Sequence, residues 1–471
     1  MDPKEADNPT IDADFAKNRH VNANFCSQDV FSEPASRRLV QLVGHLSQNG
    51  DASVNPISKA PQNVRAMIKA YDACWPRQTY CTVQPVQRER MVVTGTTGAL
   101  GSHLLAQLLE NNNVEKVWAI NRRSNKGSTK DRETASFQDK LLDTRLLDSK
   151  KLVFVDTELE TTDYKLGLRD EIYDEAINFK LSLKDFEPNI RSARNLLNLA
   201  FNSTAPTGLP RFAFTSYITA AGFAYPERCL SEVSLAPEDA ATGIGYGQNK
   251  LVTEKLLESA RRAGLQTCIF RIGQLTGDTE SGSWSTADLV PSLLASSISI
   301  GYLPEALGVV SWLPLDVAAR AIIETCIARN VELPSVVHTS HPRPIQWMDI
   351  ISAFFASIGA RTGSHLPILR LDKWNKRVLE AAESFKGSKS DRYRRFPSTK
   401  IQPTINRMVK ADNELRSCRD AGITELGGVV SLNTTVAEEF SEALRTAPQL
   451  GMDHVETWIG YWESVGFFKL V

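Results

Sequence analysis

The stretch MVVTGTTGALGSHLLAQLL, residues 91–109, constrains this chain more than any other. A short apolar run is followed by three glycines at three-residue spacing, Gly95, Gly98 and Gly101, and then by leucines at helical intervals. In a strand–turn–helix of this kind the first glycine permits the tight turn. The second lets the backbone approach a pyrophosphate, and the third lets helix and strand pack closely. The helix N-terminus adds amide donors and a positive dipole end. A glycine triplet alone is weak. Here it follows one strand pattern, opens a helix and precedes a second strand pattern, KVWAINR, so a dinucleotide site is expected.

The rest of the chain extends that unit. KLVFVD reads as a third strand, and RFAFTS and QTCIFRIG as later ones, with the helix NKLVTEKLLESARRAG between them. Alternation of this kind implies an α/β fold with a Rossmann-type doubly wound parallel sheet. From about Pro291 the pattern turns mostly helical, with one strand candidate at SVVHTS that can return to the sheet. The expected organisation is a tail and linker over 1–87, a nucleotide-binding domain over 88–290 and a smaller, mostly helical substrate lobe over 291–471. Within the tail, residues 47–62 read as linker and NVRAMIKAYDACW as a short helix. No convincing buried strand lies between FVD at 154–156 and RFAFTS at 211–216. The one candidate there, AINFKLSL, carries Lys180 and is poorly apolar.

Two patterns carry chemistry. The second strand ends AINRRS, where binders of the unphosphorylated cofactor usually place an acid for the ribose hydroxyl. Arg122 and Arg123 suit a 2′-phosphate instead, so NADPH is the expected cofactor. In GYGQNKLVTEK, Tyr246 and Lys250 are four apart and share one helix face. A neighbouring ammonium is expected to lower the phenol pKa, and the pair suits proton donation to an oxyanion formed by hydride attack.

These residues resemble the extended short-chain dehydrogenase/reductase superfamily. Within it the chain is similar to the thioester reductase domain of fungal nonribosomal-peptide-synthetase-like and adenylate-forming reductases. The likeness runs from about residue 88 to the C-terminus. It rests on VTGTTGALGSHLL, NRR, LGL at 166–168, FEPNIRSARNLL, GYGQNKLVTEKLL, RIGQLTGDTESGSW, SWLPLDVAARAI and WIGYWESVGFF. It implies NADPH-dependent reduction of a thioester on a carrier protein's phosphopantetheine arm. It implies Tyr246 as proton donor, Lys250 on the nicotinamide ribose, and Arg271, Gly273 and Gln274 beside the nicotinamide and substrate channel. Gly95, Thr97, Gly98, Leu100 and Gly101 would contact the cofactor, with Glu158 standing in for the usual adenine contact. DVFSEPASRRLVQLV is similar to the last helix of a carrier domain, although no serine for the phosphopantetheine arm accompanies it.

The chain departs from the family pattern in two places. The strand ending in Asn-Ala, between LGL and FKLSL, is missing. The catalytic Ser/Thr position falls on Tyr217, leaving Ser216 as the catalytic hydroxyl, with Thr219 able to substitute.

The bulk properties narrow the alternatives. Net charge is −1, which favours neither nucleic acid nor an anionic membrane. Seven cysteines with no C-x-x-C read as reduced thiols in a cytoplasmic protein. No apolar run is long enough to span a bilayer. His338 and His341 form H-x-x-H, expected to cap a loop and not to hold a metal. The basic run FKGSKSDRYRRF reads as a solvated face, or as a dock for an acidic carrier. Trp284, Trp312, Trp347, Trp458 and Trp462 are expected in the core. The expected function is reduction of a carrier-bound acyl thioester, acting in trans, to an aldehyde or alcohol. The alternatives are a ketone or aldehyde reductase acting on a free small molecule, and a non-catalytic remnant that lacks a sheet strand.

Overall fold

Val64, Met67, Ile68 and Tyr71 recur at helical spacing and give the first helix, α1 (Ala60–Tyr71), its packed face. Residues 60–62, expected in the linker, therefore belong to the helix. Pro61 sits in its first turn, where a missing amide hydrogen breaks no intrahelical bond. The computed structural model describes residues 60–76, 88–124, 127–157, 183–203, 208–221, 229–237, 245–329, 331–417 and 424–470. The carrier-like helix, Glu158, the LGL segment and AINFKLSL up to Ser182 lie outside the described residues.

The expected strands form, within a residue or two. β1 (Glu89–Thr94), β2 (Val114–Arg122) and β3 (Leu152–Thr157) run parallel in spatial order β1-β2-β3. Val92 aligns with Trp118, and Trp118 with Val153. The crossover helices are α2 (Ala99–Glu110) and α3 (Thr129–Asp139). α3 opens on a capping box between Ser128 and Asp131.

After α4 (Glu187–Phe201) come β4 (Phe212–Tyr217), α5 (Gly245–Arg262), β5 (Thr267–Ile272), α6 (Leu289–Ile300), α7 (Leu315–Ile327) and β6 (Val336–Thr339). β4, β5 and β6 are also parallel, with β5 in the middle. Strand β6 is the SVVHTS candidate, and its Val337 aligns with Phe270 of β5. Among the described residues, no strand pairs with the second edge of β1 or of β4. That is the position the sequence leaves without a strand.

Burial records the difference between central and edge strands. Every residue of β5 is buried, as expected for a parallel strand covered on both faces. Ile269 of β5 packs among α1, α4 and α5, while Cys268, Phe270 and Ile272 pack against α7. In β1 and β4 burial alternates, and Val92 is 55% exposed.

The chain beyond Trp284 builds a separate apolar cluster. It joins α6, α8 (Trp347–Thr362), α9 (Leu371–Ser384), α10 (Gln402–Ser417) and α11 (Met452–Ser464). All five tryptophans expected in the core are there, and Trp284 meets Trp458 edge-on with ring centroids 4.9 Å apart. No described helix is long and apolar enough to cross a membrane.

Candidate active site

The glycine loop is built as its spacing requires. Gly95 has φ +72°, a left-handed conformation, and its carbonyl accepts the Gly98 amide at 3.1 Å. A Cβ on Gly101 would lie 2.1 Å from the Gly95 carbonyl oxygen, so only glycine lets α2 come this close to the turn. Gly98 is the N-cap of α2, and no side chain caps it. The first-turn amides, beginning at Ala99 and Leu100, therefore point out with no side-chain acceptor. A Cβ placed on Gly95 would meet none of the described residues within 4 Å. This open cradle at a helix N-terminus fits a pyrophosphate.

A polar layer under the loop has no counterpart in the sequence reading. Asn121, near the end of β2, donates to Thr96 Oγ1 at 2.6 Å and to Glu133 at 3.1 Å. The Thr96 hydroxyl also donates to Glu133. Ser102 donates to the Thr96 and Gly98 carbonyls, and Ser136 to the Thr97 carbonyl. Glu133 is fully buried, and burial raises its pKa. Arg122 closes β2, and Arg123 follows it, exposed.

Tyr246 and Lys250 lie on the first turns of α5, on one face. The Tyr246 ring meets Phe186 and Tyr217 edge-on, at centroid distances of 5.9 and 6.2 Å. Lys250 donates to the Thr215 carbonyl at 2.9 Å and lies 4.9 Å from the Phe214 ring centroid and 5.6 Å from that of Tyr246. Tyr217 and Leu100 pack on the same apolar cluster, which brings the glycine helix and the end of β4 to one region. The phenol pKa moves opposite to the expectation from sequence. Burial pushes the Tyr246 phenol up to about 12, with no offsetting charge. Burial also pulls Lys250 down to about 8, against the opposing pull of Glu254. Desolvation alone sets the direction of the phenol's shift.

Ser216 and Arg271 meet in one buried network. Ser216 Oγ donates at 2.6 Å to Glu254, a fully buried carboxylate one turn beyond Lys250. Arg271 is also fully buried, and it grips Glu254 through Nη2 at 2.7 Å and Nε at 3.2 Å. Its Nη1 donates to the Val233 carbonyl at 2.8 Å. Both side chains are buried, and a buried guanidinium must be neutralised where it sits. Thr219 differs. Its Oγ1 is buried without a hydrogen-bond partner among the described residues, and its carbonyl would be 2.4 Å from a Cβ on Gly247, next to Tyr246. Two signals for the Glu254–Arg271 pair are present in the sequence. One is an arginine inside the apolar strand TCIFRI, and the other an acid four residues after Lys250.

The two histidines bind backbone. His338 pairs through Nδ1 with the Asn433 carbonyl at 2.7 Å, and His341 through Nε2 with that of Pro448 at 2.9 Å. Burial and nearby Arg271 pull His338 down to about 3, so it is neutral. No group of potential metal ligands occurs among the described residues.

A parallel α/β sheet with a glycine-loop cradle and a Tyr-x-x-x-Lys helix defines an extended short-chain dehydrogenase/reductase. The NAD-binding family described as male sterility protein matches residues 93–322. Adenylate-forming reductase Nps11 of Serpula lacrymans is 34% identical over 98% of this chain and 44% of its own length. A carboxylic acid reductase of Neurospora crassa is 27% identical over 92% of this chain and 40% of its own. The chain thus spans less than half the length of these relatives. Among solved structures, the terminal R domain of the myxalamid pathway is similar, with TM-score 0.64 and 19% identity over 86% of this chain and 99% of that one. An archaeal thiolation-reductase di-domain gives TM-score 0.56 and 16% identity over 94% and 87%. The chain is thus similar over nearly its whole length to part of the adenylate-forming reductases, and it has the fold of the reductase-domain structures.

Proposed function

We propose that this chain reduces an acyl thioester held on a carrier protein's phosphopantetheine arm, with NADPH, to an aldehyde or alcohol. The observation that carries this reading is that Tyr246 and Lys250 meet the end of β4, whose Tyr217 shares an apolar cluster with Leu100 of the glycine helix. The glycine loop and the first turn of α2 would hold the pyrophosphate, and Arg122 and Arg123 the 2′-phosphate. When bound, NADPH supplies the hydride. Lys250 binds the nicotinamide ribose through its ammonium. The Tyr246 phenol, protonated at every physiological pH, gives its proton to the oxygen of the reduced carbonyl. Thr219, with its Oγ1 unpartnered, is better placed than Ser216 to donate a hydrogen bond to that oxygen.

The test is NADPH oxidation with the same acyl group offered on a carrier protein, as a free thioester, and as a free aldehyde or ketone. Consumption of the carrier-bound form above the others supports the reading. Turnover of the free ketone alone would move the chain to small-molecule reduction. A non-catalytic reading also has an observation in its favour, since no described strand joins β1 to β4. Absence of turnover with every substrate, despite tight NADPH binding, would establish it.

A further inference from the structure

We propose that Glu254 and Arg271 form a positioning pair that presents its negative end to Lys250 and keeps that lysine cationic. The inference rests on the proposed role of Lys250 as a cationic ribose ligand. Glu254 lies one helical turn after Lys250, on the same face of α5. Its carboxylate is fully enclosed and accepts from three donor groups. Ser216 donates to Oε1, and Arg271 donates through Nη2 to Oε2 and through Nε to both oxygens. Arg271 comes from the buried strand β5. Behind it His338 of β6, 3.4 Å from Nη1, is neutral. The pair is thus a fixed dipole, with its negative end on the helix that carries Lys250 and its positive end in the sheet.

This arrangement answers two needs. A lysine packed against Phe214 and Tyr246 tends to lose its proton, and the carboxylate one turn away opposes that loss. A carboxylate removed from water needs a partner of its own, and the guanidinium supplies it. Ser216 ties the pair to the end of β4, next to Tyr217, whose ring meets that of Tyr246. The network therefore also sets the spacing between β4 and α5.

Among the described residues, the other charged groups on the elements around α5 do not replace Glu254. Arg65 and Lys69 of α1 and Lys184 before α4 are exposed. Glu187 and Arg191 of α4 close on Tyr71. Glu232 is taken up by the amides of His338, Val436 and Ala437. Arg407 of α10 acts on Tyr217 and is itself a cation, so it cannot do a carboxylate's work. From the sheet, Arg271 and neutral His338 enter the network.

The test reads Lys250 directly, without turnover. The pH dependence of its acetylation by acetic anhydride is followed by mass spectrometry in the full chain without cofactor, with circular dichroism to check folding. Glu254→Gln leaves Arg271 uncompensated and should lower the Lys250 midpoint by about one pH unit or more. Arg271→Met leaves Glu254 uncompensated and should raise it by a similar amount. A merely structural role would not give shifts of opposite sign. If a single variant fails to fold, the uncharged double variant Glu254→Gln/Arg271→Met decides. It should fold and show a midpoint below that of the parent, because burial is then unopposed. A parental midpoint in the double variant, or same-sign shifts in the singles, would overturn the proposal. The expected shifts combined with no NADPH oxidation would support the pair and count against the reductase reading alone.

Discussion

The Lys250 ammonium lies 5.6 Å from the centroid of the Tyr246 ring, and burial drives the two groups' pKa values apart. Lys250 falls from 10.5 to about 8 and Tyr246 rises from 10.0 to about 12. The phenol therefore stays protonated while the amine titrates near neutrality. If the cation holds the cofactor ribose, NADPH affinity should fall as pH rises through about 8. Lys250→Arg should remove that limb, because a guanidinium stays charged there. The stability sign is the reverse. Between about 8 and 10.5 the unfolded chain binds more protons at this lysine than the folded one, so this group's contribution rises with pH across that window. Above about 10 the raised tyrosine acts in the opposite sense. Cofactor titrations and melting curves across this range check both signs.

Removing the phenol should isolate proton transfer. Tyr246→Phe keeps the ring contacts to Phe186 and Tyr217 and deletes only the hydroxyl. Turnover should drop roughly 10² to 10⁴-fold, with NADPH binding little changed. A Tyr246→Phe variant with parental turnover would send the proton donor elsewhere, and Tyr217 would be the first suspect.

Gly101→Ala tests the cradle. The added Cβ would lie 2.1 Å from a backbone oxygen, so either the turn or α2 must move. NADPH affinity should fall at least tenfold, about 1.4 kcal/mol. Parental affinity in a fluorescence titration would place the pyrophosphate elsewhere.

The parts of this site that are legible in the sequence are those fixed by local geometry. Gly95, Gly98 and Gly101 declare a turn because their spacing and flanking pattern leave few other conformations. Tyr246 and Lys250 share a face because any helix puts residues four apart together. The Glu254–Arg271 pair spans seventeen positions and depends on how α5 lies on β5, which no local pattern states. The partner of Ser216 is hidden from the sequence for the same reason, since it follows from which carboxylate lies beside it. The pKa of Tyr246 follows from enclosure by Phe186 and Tyr217, and enclosure is a tertiary property. The start of α1 escapes a sequence reading because Ala60-Pro61 fits the end of a linker equally well.

Cofactor choice should follow the end of β2. NADPH should bind at least tenfold tighter than NADH, about 1.4 kcal/mol. Replacing Arg122 and Arg123 with alanine should erase that preference while the melting temperature stays near the parent's. Equal affinities in the parent would defeat the assignment.

The outer edges of β1 and β4 are covered by no described strand. A parallel strand normally lies between helices and neighbouring strands, as β5 does, with every residue buried. β1 instead leaves Val92 55% exposed, and its burial alternates. Unpaired buried backbone groups cost about 1 to 3 kcal/mol each, against a total stability of about 5 to 15 kcal/mol. A version of the chain with an apolar strand ending in Asn-Ala inserted before Asn178 should therefore melt at a higher temperature. It should also bind NADPH more tightly, because the cradle hangs from the end of β1. Equal melting temperature and affinity in the two versions would show that the chain as it stands already satisfies those edges, and would favour a working enzyme over a weakened one.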